Sequence, residues 1–137
     1  MDAPSANAPS LTGLRVLIVE DEALLALCLS DSLEEKGCVV VGTAGTVDEA
    51  LALLANTDFD VTILDLNLCG KPVDEVATAI IERGRAIVFS TGSGPSSVPG
   101  EFQGWPVLSK PYLDEAVFVA LATAAAARGP EAGSAGG

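Results

Sequence analysis

The sequence contains no histidine, and only 7 lysines and arginines stand against 19 aspartates and glutamates in 137 residues, a formal charge of −12. Without imidazole there is no His-ligated metal site and no His general base. So few basic residues exclude nucleic acid and anionic membrane as partners, because both are bound through positive patches. Cysteine is scarce as well. Cys28, Cys38 and Cys69 form neither a CxxC pair nor an even set for disulfides, a usage that fits reduced thiols. No run approaches the roughly 18 consecutive apolar residues of a membrane span. Met1–Thr12 lacks the positive start and apolar centre of a signal peptide. Together these absences predict a cytoplasmic protein.

What remains is apolar: 49% of residues are hydrophobic and 19% charged, a globular balance. The length suits one domain that buries its own core. Residues 1–12 are rich in Ala, Pro, Ser and Asn, and residues 129–137 in Gly, Ala, Pro and Ser. Both read as flexible tails, leaving 13–128 as one folded unit without internal repeats.

Within that unit, short β-branched runs alternate with amphipathic stretches. Arg15–Val19, Cys38–Val41, Val61–Leu64, Ala86–Phe89 and Pro106–Leu108 read as buried strands. A first helix follows the first strand, capped by Asp21, with Leu25, Leu29 and Leu33 as its apolar stripe and Gly37 as its stop. Thr46 and Glu49 form a capping box for a second helix to about Ala55. A third runs from Pro72 to around Gly84, and a last from Leu113 to Arg128, with Val117 and Leu121 facing the core. Gly42–Gly45 reads as a turn, and Cys28 and Cys38 as core. Residues 92–105 hold four Gly and two Pro, which disfavours a regular helix there.

Strand alternating with helix predicts an α/β fold, a flavodoxin-like doubly wound parallel sheet of five strands in the order 2-1-3-4-5, with the fourth helix short or absent. In such sheets the site lies beyond the C-terminal strand ends. Those ends deliver Glu20 and Asp21, then Asp65, then Ser90 and Thr91, then Lys110. Each alone could be a cap, a turn hydroxyl or a solvated charge. Their convergence on one sheet edge is what points to a site.

Three clustered carboxylates repel one another, and oxygen donors without His or Cys suit Mg²⁺. A lysine and a hydroxyl opposite the cation would meet the charge of a phosphoryl group. A carboxylate nucleophile needs no general base, so the absence of histidine is no obstacle, and Asp65 is the natural acceptor of an aspartyl phosphate.

The segments VLIVEDE (Val16–Glu22), ILDLNL (Ile63–Leu68), FSTG (Phe89–Gly92) and LSKPY (Leu108–Tyr112) occur in that order. With them the sequence resembles the receiver domain of bacterial two-component response regulators, from Leu14 to about Arg128. The resemblance implies that Asp65 is phosphorylated, that Asp21 binds Mg²⁺ directly and Glu20 through water, and that Asn67 offers a backbone carbonyl to the same ion. It implies that Thr91 and Lys110 contact the phosphoryl group, that Gly92 leaves access for donor and water, and that the Lys110–Pro111 bond is cis. The signature around Thr91 is similar to that of a single-domain subfamily reading Phe-Ala-Thr-Gly-Tyr, with Ala and Tyr replaced here. Cys69 stands where Pro is usual. Val107 occupies the place of the usual switch aromatic, and Tyr112 reads as packing.

The function this implies is a stand-alone regulator that takes phosphate from a histidine kinase or a histidine phosphotransfer protein. It would act on a downstream protein by contact or serve as a relay or phosphate sink, losing its phosphate slowly and catalysing nothing else. Phosphate would draw Thr91 inward and order residues 92–105. The alternatives are a receiver-shaped binding module that works without phosphate and a segment of a hybrid histidine kinase. A phosphatase of related fold would need a second acid two residues after the nucleophile, where Asn67 stands.

Overall fold

The computed structural model describes residues 10–136, with side chains through Ala127. Five parallel strands form one sheet: β1 (Arg15–Val19), β2 (Val39–Ala44), β3 (Val61–Asp65), β4 (Ala86–Thr91) and β5 (Val107–Ser109). Their order is β2-β1-β3-β4-β5, as the sequence predicts. Four α-helices are found among the described residues: α1 (Ala23–Glu35), α2 (Val47–Asn56), α3 (Asp74–Glu82) and α4 (Asp114–Gly136). Between β4 and β5 stand only two single 3₁₀ turns, Pro95–Ser97 and Gly100–Phe102, in place of a helix.

The side-chain alternation of the strands divides the core in two. Val16, Ile18, Ile63 and Val88 point to one face, against Leu29 and Leu33 of α1 and Val117 and Leu121 of α4. Leu17, Val19, Leu64, Ile87 and Phe89 point to the other, against Leu54 of α2 and Val76 and Ile80 of α3. β3 and β4 are buried along their whole length, as strands covered on both faces must be. β2 is an edge strand and only half covered, and its register against β1 shifts between Val16 and Leu17. The shift carries the strand on through Gly42–Ala44, where the sequence predicts a turn.

Three further expectations are corrected. Cys28 is exposed, because Ala26, Leu29 and Leu33 already occupy the inward face of α1 and Cys28 falls off that stripe; Cys38 is buried as predicted. The supposed tail 1–12 lies mostly outside the described residues, yet its end is fixed. Leu11 is buried in the core, and the Gly13 N–H donates to the Gly37 carbonyl at 2.8 Å. Gly37 has φ +97°, and a Cβ there would sit 3.0 Å from the Thr12 hydroxyl, so glycine is required both by the helix end and by the chain packed on it. Finally, the backbone of α4 continues helical to Gly136, past Arg128.

The capping box opening α2 is present. The Glu49 N–H donates to Thr46 Oγ1 at 3.1 Å, and Glu49 Oε1 accepts from the Gly45 N–H at 2.8 Å. Thr46→Ala should lower stability by about 1 kcal/mol, read as a lower urea midpoint at unchanged slope. An unchanged midpoint would show that water replaces the cap at no cost.

Candidate functional site

Strand pairing decides which side chains meet. β1 and β3 are neighbours with Val19 beside Leu64, so the next residues, Glu20 and Asp65, emerge together. β4 sets Ser90 beside Asp65, and β5 sets Ser109 beside Thr91. The Lys110 N–H donates to the Thr91 carbonyl at 2.8 Å, which starts the lysine side chain from the same edge. The Lys110–Pro111 peptide is cis.

Carboxylate oxygens of Glu20, Asp21 and Asp65 lie within 4.8 Å of one another. Glu20 and Asp65 are buried and Asp21 is exposed. Lys110 Nζ donates to Asp65 Oδ2 at 2.9 Å and lies 3.1 Å from Glu20 Oε1. Asp65 Oδ1 accepts from the Asn67 N–H at 3.0 Å, and Glu20 Oε2 from the Glu22 N–H at 3.1 Å.

Burial raises the Glu20 carboxyl above the usual range, and it outweighs the Glu22 N–H and the Lys110 ammonium, which favour the carboxylate. Burial also pulls the lysine down, but its contacts with Asp65 and Glu20 prevail and leave it above the ordinary lysine value. Asp21 is held low, chiefly by a hydrogen bond from the Cys69 N–H to its Oδ2 at 2.8 Å.

That bond corrects one expectation and explains a departure. Asp21 does not cap α1, whose N-cap is Glu22 with no side-chain hydrogen bond, because its carboxylate is turned to the loop after β3. The loop can supply the donor because residue 69 is not proline, which has no N–H. Cys69 also has φ +53°, which a proline ring forbids.

One ammonium against three carboxylates leaves the cluster with excess negative charge. All its donors are hard oxygens, and Asp21 is open to solvent. A divalent cation such as Mg²⁺, which keeps several of its waters and takes one or two carboxylates, fits this donor set.

Thr91 is buried at the end of β4. Its Oγ1 accepts from the Ser93 N–H at 2.9 Å and lies 3.0 Å from Ser97 Oγ, whose own proton goes to the Gly94 carbonyl at 2.6 Å. Nothing in the sequence marks Ser97, one of several small residues in a stretch without periodicity. Residues 92–105 are not disordered: Val98 and Phe102 are buried, with Phe102 packed 6.1 Å from the Phe89 ring. Tyr112 is half-buried, and burial pushes its phenol up, with the Glu20 carboxylate adding to the shift. Its hydroxyl and the Ser90 hydroxyl are both buried, and their contact offsets part of that upward shift. Val107 pairs with Phe89 across β4 and β5.

A parallel sheet of this order, with an acid trio and a lysine at its carboxyl edge, is the architecture of a receiver domain. Residues 16–97 match the response regulator receiver domain, and the chain belongs to that family. It is 34% identical over 83 residues to the transcriptional regulatory protein PdtaR of Mycobacterium tuberculosis, an alignment covering 61% of this chain and 40% of that protein. Among solved structures it is similar to SdrG from Sphingomonas melonis Fr1, with 43% identity, a TM-score of 0.71, and coverage of 83% of this chain and 96% of that one. It is also similar to the response regulator PhyR from Brucella abortus, with 26% identity, a TM-score of 0.78, and coverage of 91% and 53%. The chain thus spans less than half the length of the curated relative. No helix among the described residues is long and apolar enough to cross a membrane.

Proposed function

We propose that this receiver accepts a phosphoryl group on Asp65 from a phosphohistidine of a histidine kinase or phosphotransfer protein, and passes the signal on by protein contact or as a relay or phosphate sink. The observation that carries the reading is the Lys110 ammonium 2.9 Å from Asp65 Oδ2, within an acid trio of which Glu20 and Asp65 are buried and Asp21 is exposed. One carboxylate oxygen of Asp65 attacks phosphorus. The phosphorus–nitrogen bond of the donor breaks, and the imidazole nitrogen keeps the electron pair. A carboxylate is itself the nucleophile and has no proton to lose in the attack, so no base is required.

Lys110, already beside that oxygen, stays paired with the new phosphoryl charge, and Thr91 donates its hydroxyl proton to a phosphoryl oxygen. Glu20, Asp21, Asp65 and the Asn67 carbonyl would hold Mg²⁺, which offsets charge on the transferring group. This chemistry is that of a phosphoacceptor and not of a turnover enzyme. The net charge of −12 suits a basic docking surface on the donor. An acidic receiver of this kind works in the cytoplasm, where the phosphodonor proteins are.

The test is intact mass after incubation with a small phosphodonor. One phosphoryl group should be gained with Mg²⁺ and none after chelation. No gain with Mg²⁺ would favour a binding module that works without phosphate.

A further inference from the structure

The hydroxyl protons around Thr91 can be counted. Ser97 has one, and the 2.6 Å contact commits it to the Gly94 carbonyl. In the 3.0 Å contact between the two side chains Thr91 is therefore the donor and Ser97 Oγ the acceptor. The Ser93 N–H already occupies a lone pair of Thr91. A phosphoryl oxygen only accepts, so Thr91 can bond to it only with that same single proton.

We infer that Ser97 is a positioning residue that competes with the phosphoryl group for the Thr91 proton. It thereby ties the turn Pro95–Ser97 to the state of Asp65. The inference rests on Asp65 being the phosphoacceptor. While Asp65 is a free carboxylate, Thr91 holds the turn down through Ser97. When a phosphoryl oxygen takes the proton, Ser97 keeps its bond to Gly94 but loses its tie to the sheet.

The direction follows from bond strengths. A hydrogen bond to an anionic oxygen is roughly twice as strong as one between neutral hydroxyls, so the phosphoryl group wins the contest but binds less tightly than it would without a competitor. The freed turn connects directly to Val98 and, beyond Pro99, to Phe102, both buried against the sheet. The surface that changes is therefore the 3₁₀ segment standing where a regular fourth helix is absent.

Ser97 is exposed, so Ser97→Ala leaves the core intact. With Mg²⁺ and beryllofluoride as the phosphoryl mimic, Ser97→Ala should bind the mimic about fivefold more tightly than wild type, the worth of one average hydrogen bond. Ser97→Thr, which restores an acceptor hydroxyl, should return the affinity to the wild-type value. In a Thr91→Ala background the same Ser97 change should have no effect, because the contested proton is gone. Without any mimic, amide exchange at Ser93 and Val98 should quicken in Ser97→Ala.

Equal and measurable affinities of wild type and Ser97→Ala would overturn the inference alone. So would an effect that persists without the Thr91 hydroxyl, or one that Ser97→Thr fails to reverse. If neither protein binds the mimic, the phosphoacceptor reading itself falls, and the competition with it.

Discussion

Asp65→Asn should fold as the wild type does and take up no phosphoryl group. The side chain keeps its size, and an amide oxygen can still accept from the Asn67 N–H, which lies 3.0 Å from Oδ1 in the wild type. Lys110 keeps Glu20 as a partner at 3.1 Å. Removing one of three crowded negative charges also relieves repulsion, so the thermal midpoint should hold or rise slightly. The chemistry disappears because an amide carries no charge and its lone pair is delocalised, leaving nothing to attack phosphorus at neutral pH. Intact mass and a melting curve on the same sample measure both halves. A phosphoryl group still gained by Asp65→Asn would place the acceptor on another residue, and Glu20 would be the first to examine. A collapsed melting curve would show that the Asp65 charge holds the fold together, and the loss of uptake would then say nothing about chemistry.

Glu20, Asp65 and Lys110 were legible in the sequence for a simple reason. Each ends a short β-branched run, parallel strands deliver their C-terminal ends to one edge, and the 2-1-3-4-5 order makes the first and third strands neighbours. The capping box at Thr46 and the stop at Gly37 were legible because their chemistry is local, complete within a few residues. Contacts that depend on where a distant loop lands were not. Asp21 reads as a helix cap until Cys69, far along the chain, brings an N–H to its carboxylate. Leu11 reads as part of a flexible tail until Gly37 lets the chain pass close to the end of α1. Ser97 belongs to a glycine- and proline-rich stretch where no periodicity marks one position above another. Its contact with Thr91 exists because Val98 and Phe102 anchor the segment, and neither residue advertises that role in a sequence so broken.

That anchoring makes Phe89→Ala the substitution with the largest expected effect on stability. Phe89 is fully buried in the middle of β4, beside Leu64 on β3 and Val107 on β5, with its ring 6.1 Å from that of Phe102. Truncating a buried phenylalanine to alanine costs about 3–5 kcal/mol, the lost transfer energy plus the cavity left behind. Domains of this size have about 5–15 kcal/mol in all, so the urea midpoint should fall steeply. Two effects should separate. The global loss comes from the core beneath α2 and α3. The local one comes from Phe102, which loses its aromatic counterpart, so that the Phe102 and Gln103 amides should exchange faster than global unfolding alone accounts for. Val88→Ala is the control: Val88 faces the opposite core, under α1 and α4, and its loss should cost roughly 2 kcal/mol without singling out residues 95–103. If both variants changed exchange in that segment to the same degree, scaled to their global stability, Phe89 would be an ordinary core residue. The segment between β4 and β5 would then be held by its own turns. If only Phe89→Ala loosens it, the packing that stabilises the sheet also sets how firmly Ser97 is presented to Thr91.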